Sequence, residues 1–428
     1  MNQFSEAPGL VEHFFRHSYG RLVAMLTRRI GAQYIDVVED AVQSALTAAL
    51  TTWTAQSVPE DPSAWLYRVA YNRAVEELRR ESARHELLAG GGNNLPDLAV
   101  CDEEPVSTNE IRDDMLRMLF VCCDEAIPWE SRLVLALKAL CGFSALEIAL
   151  RLFTSEANVY KRLARARERL RQVPLDVETP PLEALRSRLP SVHGVLYLLF
   201  NEGYLSAHAD RAIRRELCDE AIRLTTMLAD HPVGAVPETF ALLALMHFHV
   251  ARLDSRVDGA GGLLLLEEQD RSLWDRQRIG VGMKWLAQSA FGEVFSRFHA
   301  EAGIAAEHCS AASFGETRWS EIAELYAMLE RSAPSPLHTL NRALAVAEWR
   351  GPEAALEVLE GLAPPSWLSG SYLWDAALSD LNRRAGRLEI AQQLRVRAIE
   401  SAPTEAVRSL LRRRLAGVGP DNLGSRED

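Results

Sequence analysis

The sequence predicts an all-α chain. Apolar residues recur at helical spacing along most of its 428 residues, no stretch alternates convincingly with period two, and helical stretches are separated by Pro- and Gly-rich breakers. The length suggests two or three domains. At 48% hydrophobic and 25% charged residues the composition is that of an ordinary soluble chain. A chain this long buries sizeable cores without disulfides or metals.

In chain order, the first helical stretch carries Val11, Phe14, Phe15, Leu22, Met25 and Leu26. A second carries Val37, Val38, Ala41, Val42, Leu46 and Leu50. The breaker Ser57–Pro62 follows, and Pro62 sits where a helix start tolerates a missing N–H. Trp65, Leu66, Val69, Ala70, Ala74, Val75 and Leu78 then mark a third helix. Residues 86–110 read as a flexible linker, because Gly90-Gly91-Gly92-Asn93-Asn94-Leu95-Pro96 cannot hold a helix. Residues 96–130 hold ten acids against Arg112 and Arg117, a net charge of -8. A second small helical unit spans 111–171, and a Pro-containing connector spans 172–190. Helical pattern resumes from 191. Near the end, two helix–turn–helix stretches turn at Gly351 and Gly386, 35 residues apart, close to the ~34-residue tetratricopeptide period. Thr404–Val418 fits a capping helix for such a stack.

Charge and cysteine usage exclude several classes. The net charge is -12, so the chain is no basic nucleic-acid coat. Residues 1–172 carry a net of -4, so contact with DNA requires a local patch. No apolar run approaches the ~18 residues of a membrane span, and the start lacks the shape of a signal peptide. The six cysteines contain no C-x-x-C pair and read as reduced cytosolic thiols rather than a zinc cluster.

The sharpest motif is Phe143–Arg171. Ser144-Ala145-Leu146-Glu147 is a capping box that starts a short helix. After a turn at Phe153-Thr154, Thr154 or Ser155 caps a second helix whose Val159, Leu163 and Ala166 face the first. Its other faces carry Asn158, Tyr160, Lys161, Arg162, Arg165, Arg167 and Arg169. Two short helices with a tight turn form a helix-turn-helix, and the second helix enters a major groove. Residues 151–171 hold seven Lys/Arg against two Glu, the local charge a phosphate backbone requires. The competing reading is a solvated amphipathic helix, against which the capped neighbour and acidic surroundings weigh. In Trp65–Arg84, aromatics mingle with Arg68, Asn72, Arg73, Arg79, Arg80 and Arg84, as unpaired bases require. Trp65 and Tyr67 read as core, and Tyr71, Asn72 and Arg73 as nucleic-acid contacts.

Glu39-Asp40-Ala41-Val42-Gln43, Trp65-Leu66-Tyr67-Arg68, Asn72-Arg73-Ala74, Arg162-Leu163 and Arg165-Ala166 occur in an order and spacing that resembles a bacterial RNA polymerase sigma factor. The likeness is to the extracytoplasmic-function class of the sigma-70 type. Leu196–Tyr204, Glu268–Arg276, and Pro336 with Asn341-Arg342-Ala343 resemble the subgroup with a long tetratricopeptide-like C-terminal extension. The resemblance implies two small helical sigma domains joined by a flexible linker, plus a helical-repeat domain. It puts region 2 at 5–85, the linker at 86–110, region 4 at 111–171, the connector at 172–190, the extension at 191–418 and a disordered tail at 419–428. It implies that Glu39, Asp40 and Gln43 bind core polymerase, which is gripped at the beta-prime clamp helices and the beta flap. Arg68, Tyr71, Asn72 and Arg73 would meet the melted -10 element, and Ser155, Asn158, Lys161, Arg162 and Arg165 the -35 element. Arg and Lys suit guanine edges or phosphates, and Asn suits adenine. In the extension, Asn201, Glu202, Gly203, Tyr204, Asp270, Arg271, Trp274, Asp275 and Arg276 form motifs with a structural or regulatory role. Ser44 stands where the family often has an acid.

The resemblance also implies that the extension controls activity in cis. A peptide or protein ligand suits its repeats. The expected partners are polymerase and promoter DNA in the cytoplasm, without a membrane, cofactor, metal or catalytic residue. His247 and His249 point to different helix faces, and no H-E-x-x-H or G-x-x-x-x-G-K-[ST] occurs. The alternative is a stand-alone helix-turn-helix regulator with a helical sensor domain, which has no need of the 5–85 domain.

Overall fold

The computed structural model describes residues 7–53, 59–89, 108–152, 154–172, 182–205, 213–258, 262–292, 294–402 and 405–415. Most of the expected linker, residues 90–107, and the expected tail lie outside them, as do Cys101, Phe153 and His208. The fold is all-α. Among the described residues there is no strand, only an isolated bridge between Val257 and Leu263. The chain divides into two compact units, Met1–Ala235 and Val236–Asp428.

The first unit begins with α1 (Ala7–Ile30), α2 (Ile35–Thr52) and α3 (Pro62–Ala89). Gly31, at φ 113°, ends α1 in a conformation that L side chains rarely adopt. On α2, Ile35, Val38, Ala41, Val42, Ala45, Leu46 and Ala49 form one buried stripe. Asp61 starts α3 by accepting the Ala64 amide at 2.9 Å, with Pro62 in the first turn. Next come α4 (Thr108–Cys122), α5 (Trp129–Ala139), α6 (Ala145–Arg151) and α7 (Glu156–Gln172), then α8 (Leu182–Tyr204) and α9 (Arg215–Asp230).

Two expected boundaries differ from the structure. Residues 182–190 are helix rather than connector, and Pro190 lies inside α8. Pro190 is exposed, so water can serve the carbonyl that its missing N–H leaves behind. The helical stretch expected to open the extension at 191 does not separate there. α8 and α9 belong to the same compact unit as α4–α7.

The second unit is built on α10 (Pro237–Val250), which is buried nearly all round and wrapped by α11 (Arg276–Ser289) and α12 (Arg297–Ser310). It continues with α13 (Trp319–Ser332), α14 (Pro336–Arg350), α15 (Pro352–Leu359), the short α16 (Ser366–Ser369), α17 (Tyr372–Arg384), α18 (Leu388–Glu400) and α19 (Glu405–Arg414). Gly351 and Gly386, at φ 97° and 76°, turn the chain between α14 and α15 and between α17 and α18. Leu340, Ala343, Leu359, Trp374 and Leu381 share one core, so consecutive helix pairs bury each other.

Candidate polymerase and nucleic-acid interface

The helix-turn-helix is built as its local chemistry demands. The Glu147 amide donates to Ser144 Oγ at 3.2 Å, and the Ser144 amide donates to Glu147 Oε2 at 2.8 Å. This reciprocal cap starts α6 and contributes about 1 kcal/mol. On α7, Ser155 Oγ accepts the Asn158 amide at 3.3 Å. Val159, Leu163, Ala166 and Leu170 form the buried stripe that packs α7 down. Ser155, Asn158, Lys161 and Arg165 are exposed on the outer side. Asn158 also donates to Thr154 Oγ1 at 3.2 Å. Arg162 is partly buried and pairs with Glu130 at 2.9 Å, so it is less available than its neighbours. Lys161 and Arg165 have no partner among the described residues.

On α2, Asp40 and Gln43 are exposed and line a shallow cleft of about 510 Å³ with Ser44, Thr47 and Arg73. The structure thus brings Arg73 of α3 beside the expected polymerase-binding residues. Arg68 and Asn72 are also exposed on α3. Tyr71 is not: it is fully buried, stacks on Tyr67 at 6.2 Å and lies under the Arg29 guanidinium at 4.8 Å. The expectation of base stacking at Tyr71 is corrected here. It falls on the same inner stripe as Tyr67, Ala74, Val75 and Leu78, which are also buried.

Glu39 is likewise withdrawn, at 1% exposure. Its Oε2 accepts from Arg167 of α7, and Arg171 of α7 pairs with Asp36. Glu39 Oε1 and Arg167 Nε are buried without a hydrogen-bond partner. Burial pushes the Glu39 carboxyl up, and the Arg167 guanidinium beside it only partly offsets this. The same interface extends along α1. A Cβ on Gly20 would lie 2.0 Å from the Leu140 carbonyl oxygen, so only glycine permits this approach. A Cβ on Gly142 would lie 3.2 Å from the Tyr19 ring, and Arg28 pairs with Asp114 at 3.1 Å. These contacts join α1 and α2 to the four helices α4–α7.

α8 and α9 are fastened to those four helices. Arg214, 5% exposed, meets Glu147 at 3.2 Å, Glu216 at 3.4 Å and Glu202 at 3.8 Å. Its amide donates to the Gly203 carbonyl at 2.7 Å. A Cβ on Gly203 would lie 2.6 Å from the Cys218 amide nitrogen, so this approach needs glycine. Arg188 pairs with Asp124, and Arg132 donates to Ser191 Oγ at 2.9 Å. Asn201 and Tyr204 are partly buried on α8, and Tyr204 stacks on Phe200 at 6.0 Å.

In the second unit, the 270–276 motif is occupied internally. Arg271 donates to the carbonyls of His308 at 2.8 Å and Ala311 at 2.6 Å. The buried Trp274 donates to Ser255 Oγ at 2.8 Å. Asp270 and Asp275 cap helical turns by accepting the amides of Ser272 and Arg278, and Arg276 donates to the Arg271 carbonyl at 3.3 Å. Burial lowers His193 and His247 to about 4 each, so both are neutral near pH 7. The five described cysteines are buried, and none of them forms a disulfide. Among the described residues no group of three or more His, Cys, Asp or Glu could hold a metal, and no helix is long and apolar enough to cross a membrane.

Sequence reasoning missed Glu147–Arg214–Glu202, Arg188–Asp124 and the α2–α7 pairs. Glu202 and Arg214 are 12 residues apart and the other partners 64–135, and no local pattern marks them.

Comparison with known proteins agrees with this layout. Residues 15–84 match sigma-70 region 2, and residues 117–170 match sigma-70 region 4. Residues 188–290 match a family of unknown function, DUF6596. The uncharacterized protein R00370 of Rhizobium meliloti (strain 1021) is 36% identical over 386 residues, covering 89% of this chain and 90% of that protein. The RNA polymerase sigma factor NccH of Alcaligenes xylosoxydans xylosoxydans is 29% identical over 157 residues, covering 36% of this chain and 80% of that protein. No solved structure matches the chain. A region 2 fold, a capped region 4 helix-turn-helix and a helical extension in continuous order place the chain in the sigma-70 family, as an extracytoplasmic-function type sigma factor with a C-terminal extension.

Proposed function

We propose that this sigma factor carries its own control element, and that α8 and α9 transmit the state of the C-terminal extension to the -35-reading helix-turn-helix. The sigma role itself, binding core polymerase and promoter DNA to direct initiation, follows from the two sigma-70 regions. Arg214 supports the finer reading. It bonds Glu202 of the extension's motif on one side and the α6 capping carboxylate Glu147 on the other. A shift of α8 therefore pulls on the residue that starts the helix-turn-helix.

In this reading Asp40 and Gln43 meet the beta-prime clamp helices, and region 4 meets the beta flap. Arg68, Asn72 and Arg73 hold the melted -10 strand. Ser155, Asn158, Lys161 and Arg165 read the -35 duplex, with Arg162 joining once it leaves Glu130. Chemistry stays with the polymerase. The repeats take a peptide or protein segment in the cavity of about 510 Å³ walled by Leu265, Phe314, Trp319 and Tyr326. His308 Nδ1 and Arg383 Nε, from two other lining residues, are buried there without partners.

The test is run-off transcription from pooled genomic DNA with core polymerase and the full chain. Arg214→Ala is expected to change transcript yield at least fivefold while Lys161→Ala with Arg165→Ala abolishes it. Unchanged yield in Arg214→Ala would refute transmission through this contact.

A further inference from the structure

The cavity of about 510 Å³ in the second unit is walled by the 265–267 turn and by α12, α13, α14, α17 and α19. Two motifs of the extension serve these walls. Arg271 donates to the His308 carbonyl at 2.8 Å and so holds the end of α12. Glu268 accepts from Arg413 of α19 at 3.2 Å, and the same guanidinium donates to the Leu263 carbonyl at 2.8 Å. The turn is thereby tied to the last helix. In Asn341-Arg342-Ala343, Arg342 pairs with Glu330 at 2.9 Å and Ala343 is buried, which leaves Asn341 to line the cavity.

The lining has an aromatic part and a charged part. Phe314 and Trp319 meet at 4.9 Å, and His308 stands edge-on to Trp319 at 5.3 Å. Asp380 receives Arg383 at 2.7 Å, Arg384 at 3.8 Å and Arg414 at 4.0 Å, and Glu348 pairs with Arg384. Three guanidiniums therefore share two carboxylates. Glu267, the other acid of the lining, is exposed to solvent. Positive charge is in surplus, and low-dielectric walls strengthen its field. His308 Nδ1 and Arg383 Nε are buried without a hydrogen-bond partner. Each costs free energy until a partner is supplied. A carboxylate accepts from both N–H groups and offsets the surplus charge.

Asn341 adds an amide, which both donates and accepts as a peptide unit does. We infer that the cavity takes an acidic peptide segment of a partner protein. Its Asp or Glu carboxylate meets His308 Nδ1 and Arg383 Nε, its backbone meets Asn341, and an adjoining aromatic or aliphatic side chain packs against Trp319 and Tyr326. This inference rests on the reading above that the repeats take a peptide or protein segment, and it adds the charge and the anchor of that segment. A basic segment finds Asp380 and Glu348 already paired with arginine.

The test is selection from a phage-displayed library of short random peptides on the immobilised full chain. The selected peptides are expected to carry Asp or Glu beside an aromatic or aliphatic residue. Fluorescence polarisation then compares each with its counterpart in which Gln replaces Glu and Asn replaces Asp. The counterpart is expected to bind at least tenfold more weakly. Two variants locate the site. Asn341→Ala should weaken the selected peptides at least fivefold. Arg383→Glu should weaken them at least tenfold and, in a fresh selection, favour Lys or Arg in place of the acid. Melting curves show whether each variant folds; if Arg383→Glu does not, Asn341→Ala and the amide counterparts decide. Selected peptides that are basic or uncharged would overturn the acidic assignment while leaving the peptide reading standing. Acidic peptides that bind both folded variants as tightly as the wild type would place the site elsewhere and overturn it too. Failure to select any peptide would refute the peptide reading itself, and this inference with it.

Discussion

Two arginine-rich segments of this chain put the same chemistry to opposite uses. On α7, Lys161 and Arg165 are exposed and unpartnered among the described residues. In the 270–276 segment, Arg271 is 9% exposed and spends its guanidinium on the carbonyls of His308 and Ala311. Both segments mix cations with aromatic residues, and composition alone does not separate them. Burial does: a cation kept in water remains available to a phosphate, whereas one taken into the fold must be satisfied there. α7 holds both kinds, since Arg167 and Arg171 on a neighbouring stripe are drawn onto α2.

The largest effect is expected at Arg271. Arg271→Met leaves buried carbonyls unserved and is expected to cost about 3–5 kcal/mol, read as a fall in the melting temperature. An unchanged melting temperature would mean that the segment's cation is not structural. His308 sharpens the same point through pH. Burial, then Arg252 and Arg271, lower its imidazole to about 3. The unfolded chain takes up that proton near pH 6.5 and the folded chain does not. Stability from this group is therefore complete above pH 6.5 and is lost as pH falls toward 3, by about 5 kcal/mol at most. His308→Gln should flatten that slope in melting temperatures measured across the range. On α7 the expected effects are on binding instead. Arg165→Ala should weaken duplex binding about tenfold, near 1.4 kcal/mol, and lower the salt dependence by about one ion, with an unchanged melting temperature. Smallest is the exposed pair itself: Asp36→Asn should change stability by less than about 1 kcal/mol in the same melting assay.

Much of region 4 was legible because its signals are local. Ser144 and Glu147 are three residues apart, and Val159, Leu163 and Ala166 follow helical spacing. The turns at Gly351 and Gly386 were legible because positive φ favours glycine. Tyr71 was misread because an aromatic next to Asn72 and Arg73 looks like a base-stacking platform until its neighbours show it on the inner stripe. The resemblance of Glu39–Gln43 puts Glu39 among the polymerase contacts with Asp40, but one step along a helix is about 100°, enough to turn Glu39 under α7. Pro190 was read as a break although an exposed helix face tolerates it. The α2–α7 pairs and the Arg214–Glu147 contact were not legible, because tertiary packing brings together charges that lie far apart in the chain.

In the proposed function, this chain directs initiation through Asp40 and Gln43 on one side and Lys161 and Arg165 on the other. Run-off transcription with core polymerase, the full chain and its Asp40→Arg variant tests it most directly. Specific transcripts are expected to require the wild-type chain and to disappear with Asp40→Arg, while duplex binding by that variant persists. Duplex binding without any chain-dependent transcript would contradict it and point to a stand-alone regulator.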